Sequence, residues 1–175
     1  TLLAVVALIA SCSTTRVLQE GEERLAKNKI VITNNKSFSS NDLEPYIKQN
    51  PNSYFIGGWN PFLSVYNWQN GKGKGWDKFV KKIGVAPVVF DSTLVAKSEE
   101  NISKHLEYLG YFESDVKSEI KVKKKQAYVK YLITLGKQYK IDEIRLNIPE
   151  GTFREAFYSD TTKMIVKKGS YLSEN

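Results

Sequence analysis

From residue 116 to residue 135 the side chains change character at every second position, and few structures satisfy that pattern. Val116, Ile120 and Val122 alternate with Lys117, Glu119, Lys121 and Lys123. Ala127, Val129, Tyr131, Ile133 and Leu135 alternate with Tyr128, Lys130, Leu132 and Thr134. Period two belongs to a β-strand, whose successive Cβ atoms point to opposite faces. The stretch Lys124-Lys125-Gln126 between the runs is predicted to turn, giving an antiparallel hairpin. The second run is apolar on more of its surface and is expected in the centre of a sheet. The first carries lysines on one face, a common protection of an edge strand, and is expected at the edge.

Weaker signals surround the hairpin. Lys29-Ile-Val-Ile-Thr33 is a short β-branched run closed by Asn34-Asn35, a strand and a turn. Ser39 to Asp42 offers caps for a short helix over Leu43–Gln49, provided Pro45 lies in its first turn. A clearer helix is predicted from Ser98, a plausible N-cap, with Glu99 and Glu100 at its positive end. Ile102, Leu106 and Leu109 form its apolar stripe, and Gly110 stands where a left-handed C′ residue is wanted. Between the two helices, residues 50–91 hold all three tryptophans and six glycines. There Trp76, Phe79, Val80 and Ile83 fall at i, i+3, i+4 and i+7, with Lys78, Lys81 and Lys82 off the stripe. The stripe can stack on sugars or meet lipid headgroups, but helical spacing is what packing requires, so it is expected to pack onto its own domain. Tyr139 to Ile148 is expected to be a further strand, opening a second copy of the unit.

The N-terminal end reads as a targeting signal. Leu2 to Ala10 is uncharged and free of proline. Eleven helical residues reach roughly 17 Å at about 1.5 Å each, short of the ~30 Å hydrocarbon core, but they have the length of a signal-peptide apolar region. The run ends in Ile9-Ala10-Ser11-Cys12, an aliphatic residue and two small ones before the only cysteine. This resembles a lipobox, with cleavage between Ser11 and Cys12 and a diacylglyceryl group on the Cys12 thiol. Because Ser13 rather than Asp follows, the resemblance implies delivery to the outer membrane. The first residue is Thr1 and residues 171–175 are polar, so the chain reads as a fragment.

Composition excludes several classes. Hydrophobic residues make up 41% of the chain, with 3 Trp, 10 Tyr and 8 Phe, too apolar and aromatic for a disordered protein. One Cys and one His leave no disulfide framework and no Cys/His zinc cluster. His105 is expected to be a packed or half-exposed histidine, not a metal ligand. The scattered carboxylates form no catalytic motif, and neither an enzyme nor a cofactor is expected. Six of the seven net positive charges come from residues 115–140, where eight lysines face Asp115 and Glu119. So local a charge suits anionic headgroups or acidic proteins better than nucleic acid.

Asn101 to Val116 resembles the signature of a polypeptide-transport-associated (POTRA) domain. In that family a helix ends in a leucine, a glycine and an aromatic, here Leu109, Gly110 and Tyr111, and a strand then begins at a valine, here Val116. The resemblance covers roughly residues 25–148, and Lys137 to Ile144 looks like the link from one such unit to the next. With the lipobox, it points to the lipid-anchored branch of the BamA/TamA-like outer-membrane assembly factors. The implied fold is α+β, a β-α-α-β-β unit whose three-stranded mixed sheet is covered by two helices. The implied organisation is a signal remnant (1–11), a tether (12–24), a first POTRA-like domain (25–136, insertion 50–91) and an incomplete second (137–175).

The function implied is a periplasmic client-binding scaffold that captures unfolded outer-membrane proteins by strand addition. A C-terminal β-barrel of the full-length protein would follow. The capturing strand would be the edge Val116, Lys117, Ser118, Glu119, Ile120, Lys121, Val122 and Lys123. The alternative is a free-standing lipoprotein that binds a glycan or peptide through its Trp-rich insertion.

Overall fold

The computed structural model describes residues 14–54, 60–145, 147–159 and 166–172. The Ser11–Cys12 cleavage and lipidation site and Trp59 lie outside the described residues.

The hairpin is β3 (Asp115–Lys123) and β4 (Gln126–Thr134), antiparallel from Asp115↔Thr134 to Lys123↔Gln126. Its loop is two residues, Lys124 and Lys125, at φ 51° and 57°, so Gln126 belongs to the strand and not to the turn. Two positive φ values match the right-handed twist of the strands they join. β1 (Arg24–Ile32) lies parallel to β4 on its other side, giving the order β1-β4-β3. The sheet is therefore three-stranded and mixed, with β4 central and β3 at an edge. β1 is longer than the run Lys29–Thr33 suggested. Its first residues, Arg24, Leu25 and Ala26, are buried.

Val129, Tyr131 and Ile133 of β4, with Leu135 just after it, are the floor of the core and meet Leu25, Leu43, Ile47, Val95, Ile102 and Leu106. Two helical segments cover them. The first, Ser40–Tyr46, is a 3-10 helix, not the α-helix expected over Leu43–Gln49. Pro45 lies inside it near its end, where the short i→i+3 pattern has few donors to lose. The second is a long α-helix, α3 (Ser92–Tyr108). It starts six residues before Ser98 because Asp91 is its cap, accepting the Thr93 N–H at 2.8 Å. Ser98 is an interior residue, fully buried, whose hydroxyl accepts the Lys48 N–H at 2.9 Å and donates to the Leu94 carbonyl at 2.6 Å. Burial pushes the Tyr131 phenol above its ordinary pKa, with Ser98 opposing the shift. A cap residue by type thus serves the core.

The insertion contributes α1 (Pro61–Tyr66) and α2 (Gly75–Ile83). After α3 the chain forms β2 (Tyr111–Phe112), which pairs with β5 (Lys137–Gln138) in a small antiparallel sheet. The strand expected over Tyr139–Ile148 is reduced to one bridge, Lys140↔Tyr171, followed by irregular chain among the described residues and α4 (Thr152–Ser159). Its backbone bonds go to the returning segment instead: Ile141 N–H to Ser170 at 2.9 Å and Leu172 N–H to Tyr139 at 2.7 Å.

Candidate functional site

The two outer strands of the sheet differ in how open their edges are. On β1 the Leu25 N–H donates to the Val88 carbonyl at 2.8 Å, and the Phe90 N–H to the Glu23 carbonyl at 2.8 Å. The segment leading to α3 thus covers the beginning of that edge. β3 is bonded to β4 on one side, and the sheet ends on its other side.

Which backbone groups of β3 face outward follows from the hairpin. A two-residue loop makes its flanking pair, Lys123↔Gln126, a hydrogen-bonded pair, and such pairs alternate with non-bonded ones along the ladder. The other side of β4 agrees. The Ile133 carbonyl accepts the Thr33 N–H at 2.9 Å, so Ile133 faces β1, and its partner Val116 is in a non-bonded pair. The outward donors and acceptors therefore belong to Val116, Ser118, Ile120 and Val122.

The side chains sort by the same parity. Lys117, Glu119, Lys121 and Lys123 project from the face away from the core. Val116, Ser118, Ile120 and Val122 lie opposite the core residues Ile133, Tyr131, Val129 and Ala127. The helical cover does not reach the hairpin tip, and Ile120 and Val122 are 43% and 53% exposed. Two ion pairs lie on the lysine face, Lys117–Asp115 at 2.6 Å and Lys130–Glu119 at 3.5 Å, both well exposed. Pairs of this kind contribute little stability.

The Leu109-Gly110-Tyr111 corner sets the height at which β3 starts. Leu109 is the C-cap of α3, and its N–H donates to the His105 carbonyl at 3.0 Å. Gly110 turns the chain at φ 85°, and Tyr111 places its ring edge-on to Phe38 at 5.5 Å. Gly136 is a feature the sequence did not single out beyond ending the unit. A Cβ there would lie 1.7 Å from the Phe112 carbonyl oxygen, so only glycine lets β5 pass β2. His105 stacks on Tyr46 at 3.9 Å, and burial lowers its pKa against the opposing pull of Asp42.

The insertion departs from the expected packing. Of the predicted stripe only Val80 is buried, while Trp76, Phe79 and Ile83 are 51%, 53% and 43% exposed. The cause is Asp77. Its carboxylate accepts the backbone N–H groups of Asn70 at 2.8 Å and Gly73 at 2.7 Å, bonds that hold its pKa below the ordinary carboxylate range. This cap turns the Asp77/Val80 side of α2 towards α1 and the aromatic side to solvent. Gly84 fixes the contact: a Cβ there would lie 2.6 Å from the Tyr66 backbone.

Among the described residues no group of three or more His, Cys, Asp or Glu is placed to hold a metal ion, and no helix is long and apolar enough to cross a membrane.

A family model described as "POTRA: Surface antigen variable number repeat" matches residues 27–136. The chain belongs to the POTRA family. The matched span runs from β1 through the insertion to Gly136, and so takes in the mixed sheet, both covering helices and the Leu109-Gly110-Tyr111 corner. Among solved structures, the chain is similar to a crystal structure of Haemophilus influenzae BamA POTRA3-5, with a TM-score of 0.32 and 13% identity over 90% of this chain and 83% of that one. Compared with the curated proteins, the chain has no match.

Proposed function

We propose that this POTRA domain is a periplasmic client-binding scaffold of an outer-membrane β-barrel assembly factor, working by strand addition along β3. One observation carries the reading: a nine-residue edge strand with outward backbone groups at four alternate positions, next to a sheet edge that is partly covered. An extended client strand gains main-chain hydrogen bonds there whatever its sequence, which suits a factor that handles many unfolded barrels. Exposed Ile120 and Val122 offer apolar contact on one face of the added strand, and the lysine row attracts acidic or aromatic side chains on the other.

In this reading Cys12 is acylated and anchors the chain to the outer membrane, the tether of residues 12–24 is docked on the insertion from Val17 onward, and the described domain faces the periplasm. Residues 25–136 form one unit, 137–175 open a second, and a C-terminal barrel belongs to the full-length protein. The domain's part is capture and positioning, and the reading assigns it no catalytic step.

Site-specific photocrosslinking tests this. A photoreactive side chain at Val122 should capture an unfolded outer-membrane protein, whereas one at Lys29 on β1 should not. Equal capture from both strands, or none from Val122, would remove the basis for the reading. Metabolic labelling with a fatty-acid analogue tests the anchor: label should be lost in Cys12→Ser, and label retained there would refute it.

A further inference from the structure

We propose that the exposed face of α2 in the insertion is a membrane-surface site that seats the domain on anionic phospholipid headgroups, next to its own lipid anchor. In a helix at about 100° per residue, Phe79, Ile83 and Trp76 occupy one continuous strip, and Lys78 and Lys82 follow on its flank. Such a strip beside lysines is the pattern of a helix lying in the headgroup region. Rings and aliphatic side chains enter the acyl boundary, while long lysine stems reach back to phosphate.

The charge around the strip has one sign. Lys72, Lys74, Lys78, Lys81 and Lys82 are exposed, and the only acid from residue 71 to residue 85 is Asp77, buried and occupied by backbone N–H groups. Trp68 extends the apolar surface, 46% exposed, with its carbonyl accepting the Trp76 indole N–H at 3.3 Å. An acidic protein would answer the lysines but not the aromatic strip, and a sugar would answer the rings but not the lysines. An anionic lipid surface answers both.

Position supplies the second argument, which rests on the Cys12 reading above. The Val17 N–H donates to the Asn67 side chain at 3.2 Å, and Leu18 is buried, so the chain is docked on the insertion from Val17 onward. Cys12 precedes Val17 by five residues, which span at most about 17 Å when extended. A lipid on Cys12 therefore keeps this insertion within reach of the bilayer.

The test separates the site from the anchor by using the non-acylated Cys12→Ser full chain. Its flotation with vesicles of phosphatidylethanolamine and phosphatidylglycerol is compared with neutral phosphatidylcholine vesicles. Binding should be confined to the anionic vesicles and weaken with salt. Lys78→Gln with Lys82→Gln should lower the partition coefficient roughly 30-fold. Trp76→Ser with Phe79→Ser should lower it roughly 100-fold, with the circular dichroism of the folded domain retained because neither side chain belongs to its core. Wild-type partitioning by either variant overturns the proposal. So does a protein that binds peptidoglycan sacculi but not vesicles, which would favour a glycan site on the same rings. A wild-type chain that takes up no fatty-acid label, or a Cys12→Ser chain that keeps it, would refute the anchor and leave the vesicle result standing.

Discussion

Proline at position 118 separates strand addition from simple charge attraction. Ser118 is paired with Tyr131 in a non-bonded position of the ladder, so its N–H points away from β4. Ser118→Pro therefore removes no bond from the sheet, and an edge strand tolerates proline where its N–H faces outward. Glu119 is the opposite case. It pairs with Lys130 in a bonded position, and Glu119→Pro should destabilise the fold by about 1–3 kcal/mol through a lost ladder bond and a distorted strand. For a client strand the order reverses. Ser118→Pro deletes one of four outward donors and places a ring in the plane of pairing. A lost bond contributes about 0.5–1.5 kcal/mol and an orphaned client carbonyl about 1–3 kcal/mol. Together they should weaken capture roughly 10- to 1,000-fold. The triple variant Lys117→Gln, Lys121→Gln, Lys123→Gln removes only exposed charges and should weaken it by about fivefold or less. The assay is crosslinking or fluorescence anisotropy with a urea-unfolded outer-membrane protein, beside thermal melts of each variant. A folded Ser118→Pro protein that binds like wild type, or a glutamine variant weaker than the proline one, would refute strand addition. Charge attraction would then be the better account.

Three further expectations concern stability. Lys124→Asn with Lys125→Gly should raise stability by about 1 kcal/mol, because two lysines now occupy left-handed backbone that suits Asn-Gly; chemical denaturation measures it. Arg24 is 4% exposed, and its Nε and Nη1 have no hydrogen-bond partner, so Arg24→Met should stabilise by about 1–3 kcal/mol. A fall in the denaturation midpoint would show that the guanidinium is compensated in solution. His105 has its folded pKa lowered by burial, so the folded state binds its proton less readily than the unfolded chain. Its contribution is present above the ordinary value of about 6.5 and lost as pH falls through the folded pKa. The midpoint should drop between about pH 7.5 and pH 5, and less so in His105→Gln.

The hairpin was legible because burial on one face imposes period two directly on the side chains, and residues 127–135 obey it without exception. The Leu109-Gly110-Tyr111 corner was legible because a left-handed residue after a helix nearly names itself as glycine. The start of α3 was not. Its cap, Asp91, precedes Ser-Thr-Leu-Val, a poor helical opening by composition, while Ser98 looked like a cap but answers to the Lys48 N–H across the core. The stripe on α2 was read as a packing face, yet the rotation of that helix is set by one carboxylate bonded to a neighbouring loop. Tertiary hydrogen bonds of that kind leave no periodic trace. The candidate edge was visible as a lysine row, but its outward donors required the register of the ladder and the length of the turn.

The parallel pairing of β1 with β4 has a mechanical consequence. The strand nearest the N-terminus and the strand through which the chain leaves the sheet run in the same direction over eight paired positions. A pull between the chain before β1 and anything attached beyond Gly136 slides these two strands past each other. All their cross-links are then loaded together, whereas the β3–β4 hairpin, pulled at its open end, would give way one rung at a time. The sheet is built to carry tension along the β1–β4 axis, and to yield most easily at its open edge, β3.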